Sequence, residues 1–348
     1  MSSFNNSFLH NHLMINSNLL RLISDISIYK GKQGLYEQQS PQVLRKLQEV
    51  ATIQSTESSN RIEGIVIKNQ RLKELMAEKT TPQNRSENEV AAYRSVLSLI
   101  HSSASDIMIR PGVIRQLHQM LYSFSPGEGG KWKFNDHEIT EKHPDGTVHV
   151  RFKPTPAILT DEAMNNLCKN FSLAMEEKNP HELIIIAAFI LDFLCIHPFR
   201  DGNGRMARLL TLLCLYQAGY NVGRFISLEK IIEETKDSYY DTLYKSSIGW
   251  HEGQHNILPW LEYFLGTILK AYREFESRVG VIASTRGQKT ERVREMVMSF
   301  IVPFQVREIE ERCPDIKRPT INAVLKAMSD EGIIERVGFG PGTRWRIK

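Results

Sequence analysis

The sequence has few cysteines, no unbroken apolar stretch of membrane-spanning length and no strong excess of charge of either sign. Its four cysteines, Cys168, Cys195, Cys214 and Cys313, form no CxxC pair, and Cys195 and Cys214 fall in apolar helical runs. They read as buried free thiols of a reducing compartment. The most apolar run, Leu183 to Ile196, is interrupted by Asp192 and is too short to cross a bilayer. It reads instead as a buried core helix. The opening segment, MSSFNNSFLHNHL, places no basic stretch before an apolar one and is not a secretory signal. A cytoplasmic protein without a membrane segment is expected. The net charge of +4 over 348 residues argues against a strongly basic nucleic-acid binder, while leaving room for a local patch. That length predicts two or three domains. A hydrophobic content of 41% and a charged content of 24% are those of a soluble protein with a sizeable core.

Residues 1 to about 30 carry no legible element, and His10 and His12 lack the further ligands a metal site needs. Ser40-Pro41 is a helix start, with serine as cap and proline at the first helical position. Val43, Leu44, Leu47, Val50 and Ala51 continue it at helical spacing. The helix is expected over about 41–64, with Gly64 just past its end. Glu63 is then a carboxylate at a helix C-terminus, where the dipole disfavours it. Further helices are predicted at Asn88–His101 and Pro111–Leu121. Gly127, Gly129 and Gly130 mark a loop. Two short strands, Trp132–Thr140 and Thr147–Phe152, should flank the turn His143-Pro144-Asp145-Gly146. Helices resume at Asp161–Met175, Glu182–Ile196 and Asn203–Ala218, and again at Trp260–Phe275. His251-Glu252-Gly253-Gln254-His255 fits HExxH, but Gly253 inside it and Pro259 after it predict a loop rather than a zinc-binding helix.

A linker is expected at 276–288. Beyond it, helices at Glu291–Phe300, Val306–Arg312 and from Pro319 precede Ile333-Ile334 and Trp345-Arg346-Ile347, with Gly338, Gly340, Pro341 and Gly342 between. Three helices and a glycine-tipped hairpin resemble a winged helix. Residues 289–348 hold 12 Lys/Arg against 9 Asp/Glu, a net of +3 that is weak for DNA binding. DNA contact through 289–348 and a protein-interaction role are both open.

The densest chemistry lies in His197-Pro198-Phe199-Arg200-Asp201-Gly202-Asn203-Gly204-Arg205-Met206-Ala207-Arg208. A helix opens near Asn203 with two arginines in its first turns, where the dipole favours anions. Glycines there let bare N–H groups approach a phosphate. Asp201 is a hard oxygen donor of the kind Mg²⁺ takes beside phosphates. His197 is the group able to act as a base near neutral pH.

In order and spacing this stretch resembles the Fic family signature. Ser59-Asn60-Arg61-Ile62-Glu63-Gly64 resembles the family's inhibitory motif, placed here ahead of the signature. The resemblance covers roughly residues 40–275 and implies a mainly α fold. Its parts would be an N-terminal helical region (1–105) with the inhibitory helix and a catalytic core (106–275) with a flap hairpin at about 132–153. The linker and a winged helix at 289–348 would follow. It implies a protein adenylyltransferase: AMP passes from ATP to a Ser, Thr or Tyr hydroxyl of a protein, itself included, with Mg²⁺, and pyrophosphate is released. His197 would be the base and Asp201 the Mg²⁺ ligand. Gly202, Asn203, Gly204, Arg205 and Arg208 would hold the nucleotide, with Tyr239 and Tyr240 lining the adenine pocket. Glu63, braced by Ser59, would pair with Arg208 and keep the γ-phosphate of ATP from seating. Related family reactions, such as transfer of another group or removal of AMP, stay open. So do a DNA-binding regulator with the core as nucleotide sensor, and monomer against homodimer.

Overall fold

The computed structural model describes residues 3–4, 16–39, 41–77, 79–123, 129–142, 146–286, 288–298, 300, 303–313, 316–338 and 343–347. His10, His12, Gly127, the turn residues 143–145 and Gly340 to Gly342 lie outside them. The chain divides into two compact units, Met1–Phe275 and Glu276–Lys348.

The first unit begins with α1 (Ser17–Gln39), α2 (Pro41–Ile62), α3 (Asn69–Met76), α4 (Arg85–Ser103) and α5 (Pro111–Leu121). A hairpin follows, of β1 (Ile139–Lys142) and β2 (Val148–Phe152), then α6 (Thr160–Glu177), α7 (Glu182–Ile196), α8 (Asn203–Gln217), α9 (Leu228–Glu234), α10 (Lys236–Ser247) and α11 (Leu258–Arg286), whose residues from Glu276 on belong to the second unit. The fold is mainly α. At its centre is α7, buried continuously from Leu183 to Phe193. Each large apolar side chain buried there contributes about 1.5–3 kcal/mol. Helix α8 packs beside it, and α2 packs on α4 and α9.

Three differences from the sequence reading have local causes. Helix α1 was illegible because its stripe is sparse: Leu19, Leu22 and Ile26 are buried, but no acidic residue marks the first turn. Its start is instead fixed by Asn16, whose side chain accepts the Leu19 N–H at 2.7 Å. The strand expected over Trp132–Thr140 is only β1, because the preceding residues bind elsewhere. Trp132 donates its indole N–H to Asp161, and the Lys133 N–H goes to the Pro198 carbonyl. The linker expected at 276–288 is helical as far as Arg286. Gly280 costs a helix only about 1 kcal/mol, and no proline interrupts this stretch.

The second unit holds α12 (Gln288–Met298), α13 (Val306–Arg312) and α14 (Arg318–Asp330), followed by β3 (Ile334–Val337) paired antiparallel with β4 (Arg344–Ile347). Val293, Val297, Phe304, Ile309, Ile321, Leu325 and Trp345 form its core. No described helix is long and apolar enough to cross a membrane. All four cysteines are buried and free.

Candidate active site

Helix α7 ends at Ile196, and His197 follows as its cap in the left-handed conformation, φ 50° and ψ 61°. Its Nδ1 lies 3.3 Å from the Leu194 carbonyl. A carbonyl only accepts, so Nδ1 carries the proton and Nε2 is left with its lone pair. Burial, then the nearby His137 ring, pulls the pKa of His197 down to about 3. The imidazole is therefore neutral across the physiological range.

The loop from His197 to α8 is held by side chains standing in for backbone. Asn203 accepts the Phe199 N–H at 2.9 Å and returns its amide N–H to the Phe199 carbonyl at 2.7 Å. Phe199, fully buried, stacks on His118 with ring centroids 3.6 Å apart. His118 accepts the Gly130 N–H at Nδ1, so its Nε2–H donates to the Asp201 carbonyl at 3.0 Å. Gly202 opens α8 with φ 79°, and a Cβ there would also lie 3.1 Å from the Tyr122 ring. No other residue suits that position.

Glu63 and Arg208 meet. The Arg208 guanidinium donates to the Glu63 carboxylate at 2.7 Å, and also to the Ser59 hydroxyl at 2.8 Å and the Ser59 carbonyl at 2.9 Å. Arg208 is 3% exposed and Glu63 31%. Its remaining nitrogen, Nη1, has no partner among the described residues. Beside the pair, a Cβ on Gly204 would sit 2.3 Å from a Glu63 oxygen, so glycine is what lets the carboxylate lie across the first turn of α8. The end of α2 is secured by Lys236, whose ammonium donates to the Ile62 carbonyl at 2.7 Å. Two turns back, Ser55 bonds the buried Glu229 at 2.7 Å.

A cleft of about 440 Å³ joins these parts. It is lined by His197, Asp201, Gly202, Asn203, Gly204, Arg208, Glu63, Tyr239 and Tyr240, and by Ile139, Thr140, Arg151 and Phe152 of the hairpin. Arg205 is not among its walls. It is 2% exposed and donates to Glu89 of α4 at 2.7 Å. The buried Asn203 side chain is bonded to Phe199 on both its oxygen and its nitrogen. Tyr239 packs against Trp260 and Tyr263 as well as Tyr240, and serves core and cleft together. Arg151 and Arg200 supply cations at the cleft that sequence patterning had not singled out.

Residues 109–215 match the Fic/DOC family. The chain carries a Fic/DOC family domain. Solved structures share the fold. A Fic family protein from Desulfovibrio desulfuricans G20 superposes with a TM-score of 0.62 at 22% identity, covering 97% of both chains. A Fic domain containing signaling protein from Bacteroides thetaiotaomicron VPI-5482 gives 0.61 at 20% identity, over 76% of this chain and 97% of that one. Fic-1 from C. elegans gives 0.58 at 17% identity, over 77% of this chain and 73% of that one.

The Fic/DOC domain contains the His197–Arg208 stretch, His118, Tyr122 and Lys133, whereas Glu63, Tyr239 and Tyr240 lie outside it. His118 and Tyr122 looked like scaffold in the sequence, since only their contacts with the signature loop reveal their use. The HExxH segment is a loop: His251 bonds the Lys153 carbonyl and His255 bonds Ser3, on different sides. Around and beneath the Fic/DOC domain, buried histidines should govern acid stability. Burial lowers His101, His118 and His255 to about 4 and His197 to about 3. As pH falls from about 6.5, the unfolded chain takes up protons that the folded chain refuses, so stability drops with acidification over that window. The melting temperature should fall by at least about 5 °C between pH 7 and pH 5; a flat profile in a calorimetric scan would contradict the buried neutral histidines.

Proposed function

We propose that the protein transfers AMP from ATP to a hydroxyl side chain of a protein, and that Glu63 restrains the reaction. The observation that carries this reading is a neutral His197 opening onto a cleft whose far wall is the N-terminus of α8 and Arg208. The acceptor hydroxyl oxygen attacks the α-phosphorus, the bond to the bridging oxygen of the β-phosphate breaks, and pyrophosphate leaves. His197 Nε2 takes the hydroxyl proton. Backbone N–H groups of the first turn of α8 face the phosphoryl oxygens. Arg208 answers the terminal phosphate once Glu63 yields it. Tyr239 and Tyr240 offer ring faces for the adenine.

Asp201 fits a magnesium ligand. Its side chain is 61% exposed at the cleft, and one carboxylate with phosphates and water is the donor set this ion accepts. Burial opposes ionisation, but the Tyr122 hydroxyl, Arg205 and the Gly202 N–H hold its carboxyl below the ordinary range. When bound, the ion would neutralise phosphate charge. Arg205 thereby keeps a part in the site, as a brace for Asp201 at 3.9 Å rather than as a nucleotide ligand. The hairpin edge, with its exposed Val148 and Val150, suits an extended segment of the target.

We read 288–347 as a winged helix used for protein contact. Four of its twelve lysines and arginines, Arg294, Arg307, Arg318 and Arg346, face carboxylates, and a net charge of only +3 over 289–348 is weak for DNA. A chain ending at Arg286 should bind ATP and transfer AMP within about threefold of the full chain, roughly 0.6 kcal/mol of activation free energy. Loss of ATP binding in a folded truncation would show that the second unit completes the site. The reaction itself is tested with ATP labelled at the α-phosphate and mass spectrometry of the protein and of a lysate. Label on a hydroxyl side chain supports the proposal, and a protein that gains only an unlabelled phosphoryl group, or no label at all, overturns it.

A further inference from the structure

We infer that Lys133 is a positioning residue for His197, stapling the turn that presents its imidazole; this rests on His197 being the base of the proposed transfer. The left-handed backbone of His197 is disfavoured for an L-residue by roughly 1–2 kcal/mol. Such a conformation persists where the surroundings over-determine it. The two carbonyls that flank His197 are both taken by Lys133. Its ammonium donates to Ile196 at 2.9 Å, and its backbone N–H donates to Pro198 at 2.8 Å. One residue thus holds the chain on each side of the strained position.

The partner chosen is unusual for a buried cation. Lys133 is 5% exposed and forms no ion pair among the described residues. Its charge is directed at the last carbonyl of α7, which has no partner within the helix and sits at the negative end of the dipole. Burial lowers its pKa to about 8, against the pull of Asp136. Lys133 does not line the cleft of the nucleotide; it borders a separate cavity with Asn135, Asp136, His137 and Arg200. It therefore acts through the turn. The titratable groups around His197 are His137, with ring centroids 5.3 Å away, Lys133 itself and Asp201. None of these offers Nδ1 a hydrogen bond; its partner is the Leu194 carbonyl, so tautomer and ring direction depend on the backbone that Lys133 fixes.

The test compares Lys133→Met and Lys133→Arg in the full chain. Nitrogen-15 spectra of labelled histidine report the His197 tautomer, assigned by the signal missing in His197→Ala. Lys133→Met should lower kcat at least about tenfold with KM for ATP changed less than about threefold, since misplacement of a reacting group weakens the chemical step selectively. In the same variant the single Nδ1–H tautomer should give way to a mixture. Lys133→Arg, which keeps a charged donor, should recover most of both. An unchanged tautomer in folded Lys133→Met, or a kcat loss matched by an equal loss of ATP binding, overturns the inference. If Lys133→Met does not fold, Lys133→Gln is read for the tautomer by the same criteria. If the parent transfers no AMP from α-labelled ATP, the proposed reaction fails, while the nitrogen spectra still decide what Lys133 holds.

Discussion

Replacing Glu63 with glycine should raise AMP transfer at least about tenfold, a change of only about 1.4 kcal/mol in activation free energy. The Glu63 carboxylate lies 2.7 Å from the Arg208 guanidinium and crosses the first turn of α8, where the proposed triphosphate tail would seat. Carboxylate and γ-phosphate compete for one cation. Breaking a buried ion pair on one side commonly costs about 3–5 kcal/mol. Here that cost is tempered: Glu63 is partly exposed, Arg208 keeps both Ser59 contacts, and ATP replaces the lost anion. Initial rates with α-labelled ATP decide the matter. A variant that binds ATP yet transfers AMP no faster would remove Glu63 as a restraint and leave the fold and family untouched. Ser59→Ala should have a smaller effect, because the Ser59 carbonyl still holds Arg208.

Replacing His197 with alanine should lower transfer by at least about 10²-fold, the lower bound of what a positioned general base contributes. ATP affinity should change little, since the anion-facing groups lie on α8. The other proton acceptors among the described cleft residues, the carboxylates of Asp201 and Glu63, are placed by the proposal on the metal ion and on Arg208. His137 is near, and its Nε2 has no hydrogen-bond partner among the described residues, but it lines a different cavity and is outside the cleft walls. The comparison needs the background Glu63→Gly/His197→Ala, so that a restrained parent does not mask the loss. Near-parental transfer in that double variant would take histidine out of the mechanism.

Much of this was legible because the signature encodes local geometry. Gly202 at φ 79°, His197 beyond an apolar helix and Arg208 on the second turn of α8 are properties of neighbouring residues. The pairing of Glu63 with Arg208 was legible by resemblance to the inhibitory motif, although 145 positions separate them. What escaped were choices made by packing. Arg205 and Arg208 look alike in sequence and lie three apart on one helix, yet α4 places Glu89 against the first and α2 places Glu63 against the second. Asn203 stands at the cleft as expected, but its side chain is also a clip for Phe199, which the sequence does not announce. Lys133 carries no pattern at all, because its importance arises where residues 133 and 196 meet. The helix tail expected to run into a linker at Gly280, Ser284, Gly287 and Gln288 extends to Arg286, since one glycine within a helix costs only about 1 kcal/mol.

The anchors of α2 carry a consequence for inheritance. The groups proposed for chemistry lie within residues 109–215, but Ser55, Ser59 and Glu63 precede that segment, and Glu229 and Lys236 follow it. The proposed restraint and the proposed chemistry would therefore occupy separable stretches of sequence, and a change at Ser55, Glu229 or Lys236 would retune how firmly α2 sits without altering a group proposed to meet the nucleotide. Drift in these flanks would vary the resting activity across descendants while the reaction stayed the same.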